Sequence, residues 1–208
     1  MKRIKILLVI LPIILFILLA ICIKAGTILN IEENFYFELI ENKTDAFTAI
    51  MKIITHLGDP ISIILICFAL FIFSKTRIKF AIPLSITIIV SAISNIFLKE
   101  IFARERPDIL RLVNESSYSF PSGHAMTNSA LYMMAILLVN VYIRNNKFKI
   151  PLIILFTIIP IIIGISRVYL GVHYIGDVIG GFLLGITVSI IAYAYWKKVY
   201  IDKKHESI

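Results

Sequence analysis

The sequence predicts an all-α fold, a bundle of six transmembrane helices with a further helix lying along the interface in the first outer loop. Three observations predict it. Of 208 residues, 59% are hydrophobic and only 16% charged, whereas soluble domains run to about a quarter charged. Apolar runs recur at 6–23, 61–73, 80–98, 125–143, 150–165 and 178–196, and a segment immersed in lipid must satisfy its own backbone hydrogen bonds, which favours helices. Basic residues also gather in alternate connections between these runs, while nearly all the acids fall in the others.

A basic head opens the chain. The run at 6–23 is too long for a signal-peptide core and lacks a cleavage site, so it reads as a retained signal anchor and first span. Residues 24–59 are mixed and acidic. Within them Phe47, Ile50, Met51 and Ile54 recur at helical spacing, which predicts an amphipathic interfacial helix, packed on the bundle or serving as a lid. Asn42 and Asn114 open glycosylation acceptor patterns, relevant only in a secretory pathway. No repeat or linker divides the remainder, so 1–208 reads as one domain. Cys22 and Cys67 sit in different apolar runs as small core residues, without disulfide or metal spacing.

Sidedness follows from counting. With the N-terminus inside, Lys2, Arg3, Lys5, Lys75, Arg77, Lys79, Arg144, Lys147, Lys149, Lys197, Lys198, Lys203 and Lys204 fall inside, thirteen of 21 basic residues, with Asp202 and Glu206 the inner acids out of 13. This obeys the positive-inside rule and explains the basic excess without a nucleic-acid partner. It predicts a plasma-membrane protein with both termini cytoplasmic. From Lys149 to Arg167 a helix rises only about 25 Å, less than the roughly 30 Å hydrocarbon core, which places Arg167 near headgroup depth, where a charge needs a partner.

Three constellations at the outer ends of these runs carry the chemistry. In Pro121-Ser122-Gly123-His124 the serine is a preferred N-cap. Gly123 and His124 then offer free backbone N–H groups to an anion at the positive end of a helix. Lys99, Arg106 and Arg167 add fixed positive charge suited to phosphate, with the Ser122 hydroxyl completing the cradle. His173 and Asp177 are four apart, so they share a face if the last helix begins near His173. A carboxylate holding one ring N–H leaves the other nitrogen free to attack, making His173 the candidate nucleophile. His124, His173 and Asp177 could alternatively ligate iron or zinc. Three nearby cations weigh against a metal, and one carboxylate holds magnesium poorly.

Other features read as structural. Gly176, Gly180, Gly181 and Gly185 give small-x-x-x-small patterns for close helix packing, Pro151 and Pro160 shape the fifth span, and Tyr193, Tyr195 and Trp196 form an inner aromatic belt. Glu100, Arg104, Glu105, Arg111 and Glu115 read by default as solvated loop charges.

Lys99 with Arg106-Pro107, then Pro121-Ser122-Gly123-His124, then Ser166-Arg167 with His173 and Asp177 resembles the three-part signature of the phosphatidic acid phosphatase type 2 superfamily, with no departure across 99–177. Within it, Arg106 to His124, with Leu112-Val113 and Glu115-Ser116 inside, is similar to bacterial phosphatidylglycerophosphatase B-like membrane lipid phosphatases. The resemblance implies a phosphohistidine at the position of His173, Asp177 orienting it, His124 protonating the leaving group, and catalysis without metal or other cofactor. It implies a lipid substrate bearing phosphate or pyrophosphate, phosphatidylglycerophosphate or undecaprenyl pyrophosphate, and no obligate protein partner. A phosphatidic acid or diacylglycerol pyrophosphate phosphatase, and a lipid phosphotransferase on the same scaffold, are the alternatives. A soluble vanadate-binding branch is disfavoured by six spans, and a non-enzymatic anion carrier leaves His173 and Asp177 without a purpose.

Overall fold

The computed structural model describes residues 2–41, 43–108, 110–113 and 115–202; Asn42, Asn114, Lys203, Lys204 and Glu206, with the side chains of Lys2, Arg3 and Lys5, lie outside the described residues. The elements are all helical: α1 (Lys2–Lys24), α2 (Leu29–Ile40), α3 (Asp45–Leu57), α4 (Pro60–Ile72), a single turn α5 (Ser74–Thr76) continuing through π-helical Arg77–Ala81 into α6 (Ile82–Phe102), α7 (Gly123–Tyr142), α8 (Asn146–Tyr169), and α9 (Ile175–Trp196), extended by π-helical Lys197–Asp202.

Among the described residues, five stretches are long and apolar enough to cross a membrane: Ile6–Lys24, Ser74–Phe102, Gly123–Tyr142, Asn146–Tyr169 and Ile175–Asp202. The remaining expected span, 61–73, is short by itself. Its helix α4 has 13 residues and rises about 20 Å, so a sixth crossing needs α3 as well, the two helices being bent by 49° at their junction. Pro60 explains the break, because it cannot donate to the ladder of α3 but suits the first position of α4. Lys75, Arg77 and Lys79, expected in a connection, lie instead in helix directly after the extended Phe73. Arg77 Nε donates to the Phe71 carbonyl at 2.9 Å and the guanidinium lies over the Phe71 ring, so the charge serves the frayed end of α4.

Helix α7 is the centre of the bundle. Some 61% of its apolar window is buried, against 11% for α1, and it packs on α6, α8 and α9. Glycines of α9 allow that approach: a Cβ on Gly185 would lie 2.0 Å from Ser129 Oγ and 2.3 Å from the Met126 carbonyl, and one on Gly181 would lie 2.7 Å from the Ser122 carbonyl. Ser189 Oγ then donates to the Ala130 carbonyl at 2.7 Å, a bond between helices that lipid cannot replace.

The 24–59 segment forms two helices. On α3 the packed face is Thr48, Met51 and Thr55, while Phe47 and Ile50 are exposed and Ile54 is half-buried. The expected apolar stripe is therefore rotated. Polar bonds set the rotation, since Thr48 Oγ1 lies 2.8 Å from Tyr169 Oη and Thr55 Oγ1 accepts from Arg167 Nη1 at 2.8 Å, both on α8. Thr44 starts the helix by capping Phe47 N–H.

Candidate active site

Four helix ends meet at one end of the bundle. Lys99 lies in the last turn of α6, which stops at Ala103 in the left-handed region (φ 44°) and turns the chain into the 103–122 loop. Ser122 caps α7, Arg167 lies in the last turn of α8, and Asp177 in the first turn of α9. Helix α9 begins at Ile175, so His173 precedes it and does not share a helical face with Asp177. Connections are stitched together: Leu112 N donates to the Leu170 carbonyl at 3.0 Å, and Ser119 N to the Arg104 carbonyl at 2.8 Å. Asn95 on α6 donates to the Pro121 carbonyl at 3.0 Å, and because Gly123 has no Cβ the Asn95 amide can sit against the start of α7.

These ends border a cavity of about 440 Å³ with two characters. Its polar end is lined by Lys99, Arg106, Glu115, Ser117, Gly123, His124 and His173, and its apolar end by Ile63, Ile64, Ile88, Ile89, Ala92 and Ile96 from α4 and α6. A second hollow of about 310 Å³ shares four of these isoleucines and runs on past Cys67 and Phe68 to Phe71. Ile64, Ile89 and Ile96 are more than half exposed, so the groove opens on the surface that faces lipid.

His173 is buried, 2% exposed. Its Nδ1 lies 3.2 Å from Ser119 Oγ and 3.4 Å from Asp177 Oδ2, and Ser119 Oγ donates to Asp177 at 2.5 Å. A hydroxyl has one proton, so Ser119 accepts from Nδ1–H and relays its own hydrogen to the carboxylate. The expected direct contact is thus bridged. Nε2 faces Arg106 Nη1 at 3.3 Å, which matches a lone pair on that nitrogen. Burial pushes the imidazole pKa down to about 3, the neighbouring Asp177 opposing and Arg106 and Arg167 assisting, so the ring is neutral.

The cations are held by backbone and by one carboxylate. Arg106 donates to the carbonyls of Ser117 (2.6 Å) and Val172 (2.7 Å), and Lys99 Nζ to the Tyr118 carbonyl. Glu115 joins Arg167 and stands 3.9 Å from Arg106. Two expected groups stand behind the cavity wall. Ser122 is fully buried, its hydroxyl accepting from Ala125 N–H, and Arg167 is 2% exposed with Nε lacking a partner among the described residues. Asp177 likewise lies behind, filled by Arg104 Nη1 (2.7 Å), Ser119 and Tyr174 N–H (2.9 Å).

Several of these residues were not singled out from the sequence. Arg104 and Glu115, read as solvated, are partners of Asp177 and Arg167. Glu32 on α2 is 2% exposed, accepts from both Arg104 Nη atoms and from Gly176 N–H, and Arg104 lies flat over the Tyr174 ring. Burial raises the Glu32 carboxyl pKa, and Arg104 pulls it back. Asp59 and His56 complete the set: Asp59 Oδ1 is 2.8 Å from His124 Nε2 and Oδ2 is 2.7 Å from His56 Nδ1.

A multi-span helical membrane protein with a cation-lined pocket, two imidazoles and a lipid-facing groove is the class that fold and site define. The chain belongs to the PAP2 superfamily, whose family model matches residues 80–201. It is 34% identical over 190 residues to phosphatidylglycerophosphatase B of Bacillus subtilis, covering 88% of this chain and 92% of that one. It is 32% identical over 189 residues to undecaprenyl-diphosphatase of Sulfolobus acidocaldarius, covering 86% of each. The crystal structure of the transmembrane PAP2-type phosphatidylglycerolphosphate phosphatase from Bacillus subtilis superposes with a TM-score of 0.83 at 31% identity, over 93% of this chain and 98% of that one.

Proposed function

We propose that this protein is an integral-membrane lipid phosphatase that removes the terminal phosphate of a lipid phosphate or pyrophosphate, with phosphatidylglycerophosphate and undecaprenyl pyrophosphate the leading substrates. One observation carries the reading: a single cavity joins Lys99, Arg106, His124 and His173 to an apolar groove between α4 and α6. A phosphate fits the first part and a lipid chain the second. The relatives named above supply the two substrate classes.

His173 Nε2 attacks phosphorus while the bond to the lipid oxygen breaks, and His124 gives that oxygen a proton. Water then attacks the phosphohistidine, the P–N bond breaks, and His124 recovers a proton from the water. Lys99 and Arg106 hold the equatorial oxygens, and Arg167 adds positive charge from behind the wall. Catalysis without a metal is supported by the donor set, because Asp177 already accepts from Arg104, Ser119 and Tyr174 N–H and His173 Nε2 faces a guanidinium.

The site belongs to the outer face of a plasma membrane and both termini to the cytoplasm, on the strength of Lys75, Arg77, Lys79, Arg144, Lys147 and Lys149, which gather at the helix ends opposite the pocket. Helix α3 then forms the outer part of the crossing that α4 completes, with Ile50, Ile53 and Leu57 turned outward. The chain 1–208 works as one domain.

The test is phosphate release by detergent-purified protein from a panel of lipid phosphates and pyrophosphates, with excess chelator and with vanadate as separate arms. Turnover of at least one of the two leading substrates, indifference to chelator and inhibition by vanadate are expected. A strict magnesium requirement, or full activity in His173→Ala, overturns the reading.

A further inference from the structure

The junction between α3 and α4 is built around His124. Asp59 stands at the N-cap position of α4 in extended backbone (φ −68°, ψ 152°), where an aspartate ordinarily accepts from the first turn, yet it makes no capping bond. Its two oxygens go to two imidazoles instead, His124 at 2.8 Å and His56 at 2.7 Å. The backbone beside it is pinned. Asn128 on α7 donates to the Gly58 carbonyl at 3.0 Å and to the His124 carbonyl at 2.9 Å, and a Cβ on Gly58 would lie 2.7 Å from Ile163 Cγ2 and 2.8 Å from Asn128 Nδ2. Glycine at 58 therefore lets the junction close on α7, which brings Asp59 to the ring. His56 is the exposed member, its side chain 69% accessible against 32% for Asp59 and 16% for His124.

An imidazole that hands over a proton from one nitrogen must be held by the other. Asp59 takes Nε2, and Nδ1 has no hydrogen-bond partner among the described residues while the ring lines the cavity. The other charged groups facing this ring are Arg167 from α8 and Glu115 from the 103–122 loop, with Lys99, Arg106 and His173 on the same cavity. Of the carboxylates among the described residues, Asp59 is the one in contact.

We propose that Asp59 is a positioning residue for the proton-donating step: it holds His124 by Nε2–H, so that Nδ1 delivers the proton to the leaving oxygen, and His56 anchors the far carboxylate oxygen. This rests on the reading of His124 given above. As the P–O bond breaks, its electron pair goes to the lipid oxygen, the Nδ1 proton follows, and the ring is left neutral with Nε2–H still on Asp59. The same nitrogen takes a proton from the attacking water in the second step.

Leaving-group dependence tests this, because a departing p-nitrophenolate needs little protonation and a lipid alkoxide needs it fully. Turnover of a lipid monophosphate and of p-nitrophenyl phosphate is measured for wild type, His124→Ala, Asp59→Asn and His56→Ala. Asp59→Asn keeps shape but cannot hold the imidazolium as a carboxylate does. Its kcat on the lipid should fall about 30-fold, within the range general acid catalysis contributes, with KM little changed and a loss on p-nitrophenyl phosphate at least about tenfold smaller. His56→Ala should show the same selectivity at a few-fold size. If His124→Ala is selective and Asp59→Asn is not, whether inert or equally impaired on both substrates, the role of Asp59 is refuted. If His124→Ala is itself unselective, the assignment of His124 fails first and takes this one with it.

Discussion

His173 and His124 border one cavity in opposite surroundings. The side chain of His173 is 2% exposed and meets its carboxylate through the Ser119 hydroxyl, with a guanidinium at its other nitrogen. His124 is 16% exposed and touches Asp59 directly, and Asp59 reaches on to an exposed imidazole. An environment that strips water and adds cations favours a neutral ring with a lone pair. One with a carboxylate in contact holds the ring by Nε2 and leaves Nδ1 to the cavity. In the proposed mechanism, acid and nucleophile are thus told apart by what surrounds two identical side chains.

The largest break in this contrast removes the proposed nucleophile. His173→Ala should lower kcat by about 10³-fold or more, measured as phosphate release, and abolish any acid-labile phosphoenzyme. Next comes the group that orients it. Asp177→Asn can keep one oxygen for Ser119 and Tyr174 N–H, which share Oδ2, but turns an amide NH2 toward Arg104 and removes the charge, so kcat should fall about 10²-fold with KM nearly constant.

How much of this was legible differs between the two rings. Asp177 lies four residues from His173, and Lys99, Arg106, Arg167 and Asp177 are residue types with little reason to border apolar runs, so their chemistry announces itself even though Arg106 is 67 residues away. Five of the six spans were legible for the same reason, as long apolar runs. Asp59 and His56 were hidden because an aspartate before a proline reads as an ordinary helix start, and no charge bordering an apolar run marks their link to His124. Glu32 was hidden among acids that are exposed. Its burial depends on α2 folding back onto Gly176, a contact between parts of the chain 144 residues apart. The rotated face of α3 was missed since two threonines, neutral in any hydropathy pattern, bond to Tyr169 and Arg167.

A milder perturbation acts behind Asp177. Arg104→Met leaves Glu32 and Asp177 facing each other without their shared cation, and breaking a buried pair in this way costs about 3 kcal/mol. Glu32→Gln with Arg104→Met restores neutrality on one side, so the double variant should recover part of the melting temperature lost by the single one. Activity should fall about tenfold in the single variant, since Asp177 keeps Ser119 and the Tyr174 N–H. A double variant no more stable than the single one would show that Arg104 acts by packing on Tyr174 instead.

The smallest effect expected is on acid stability, and its sign follows from the burial of His173. Folded, the ring takes up a proton only near pH 3; unfolded, it does so near its ordinary value of about 6.5. Between those values the unfolded chain binds a proton that the folded protein refuses, so stability is lost as pH falls below about 6.5, by at most about 1.4 kcal/mol per pH unit for one group. Thermal unfolding in detergent between pH 7 and 5 should show this decline, and His173→Asn, which has nothing to protonate, should flatten it. An unchanged slope in His173→Asn would mean that the folded ring takes up its proton at the same pH as the unfolded chain, so that burial does not keep it neutral below about pH 6.5.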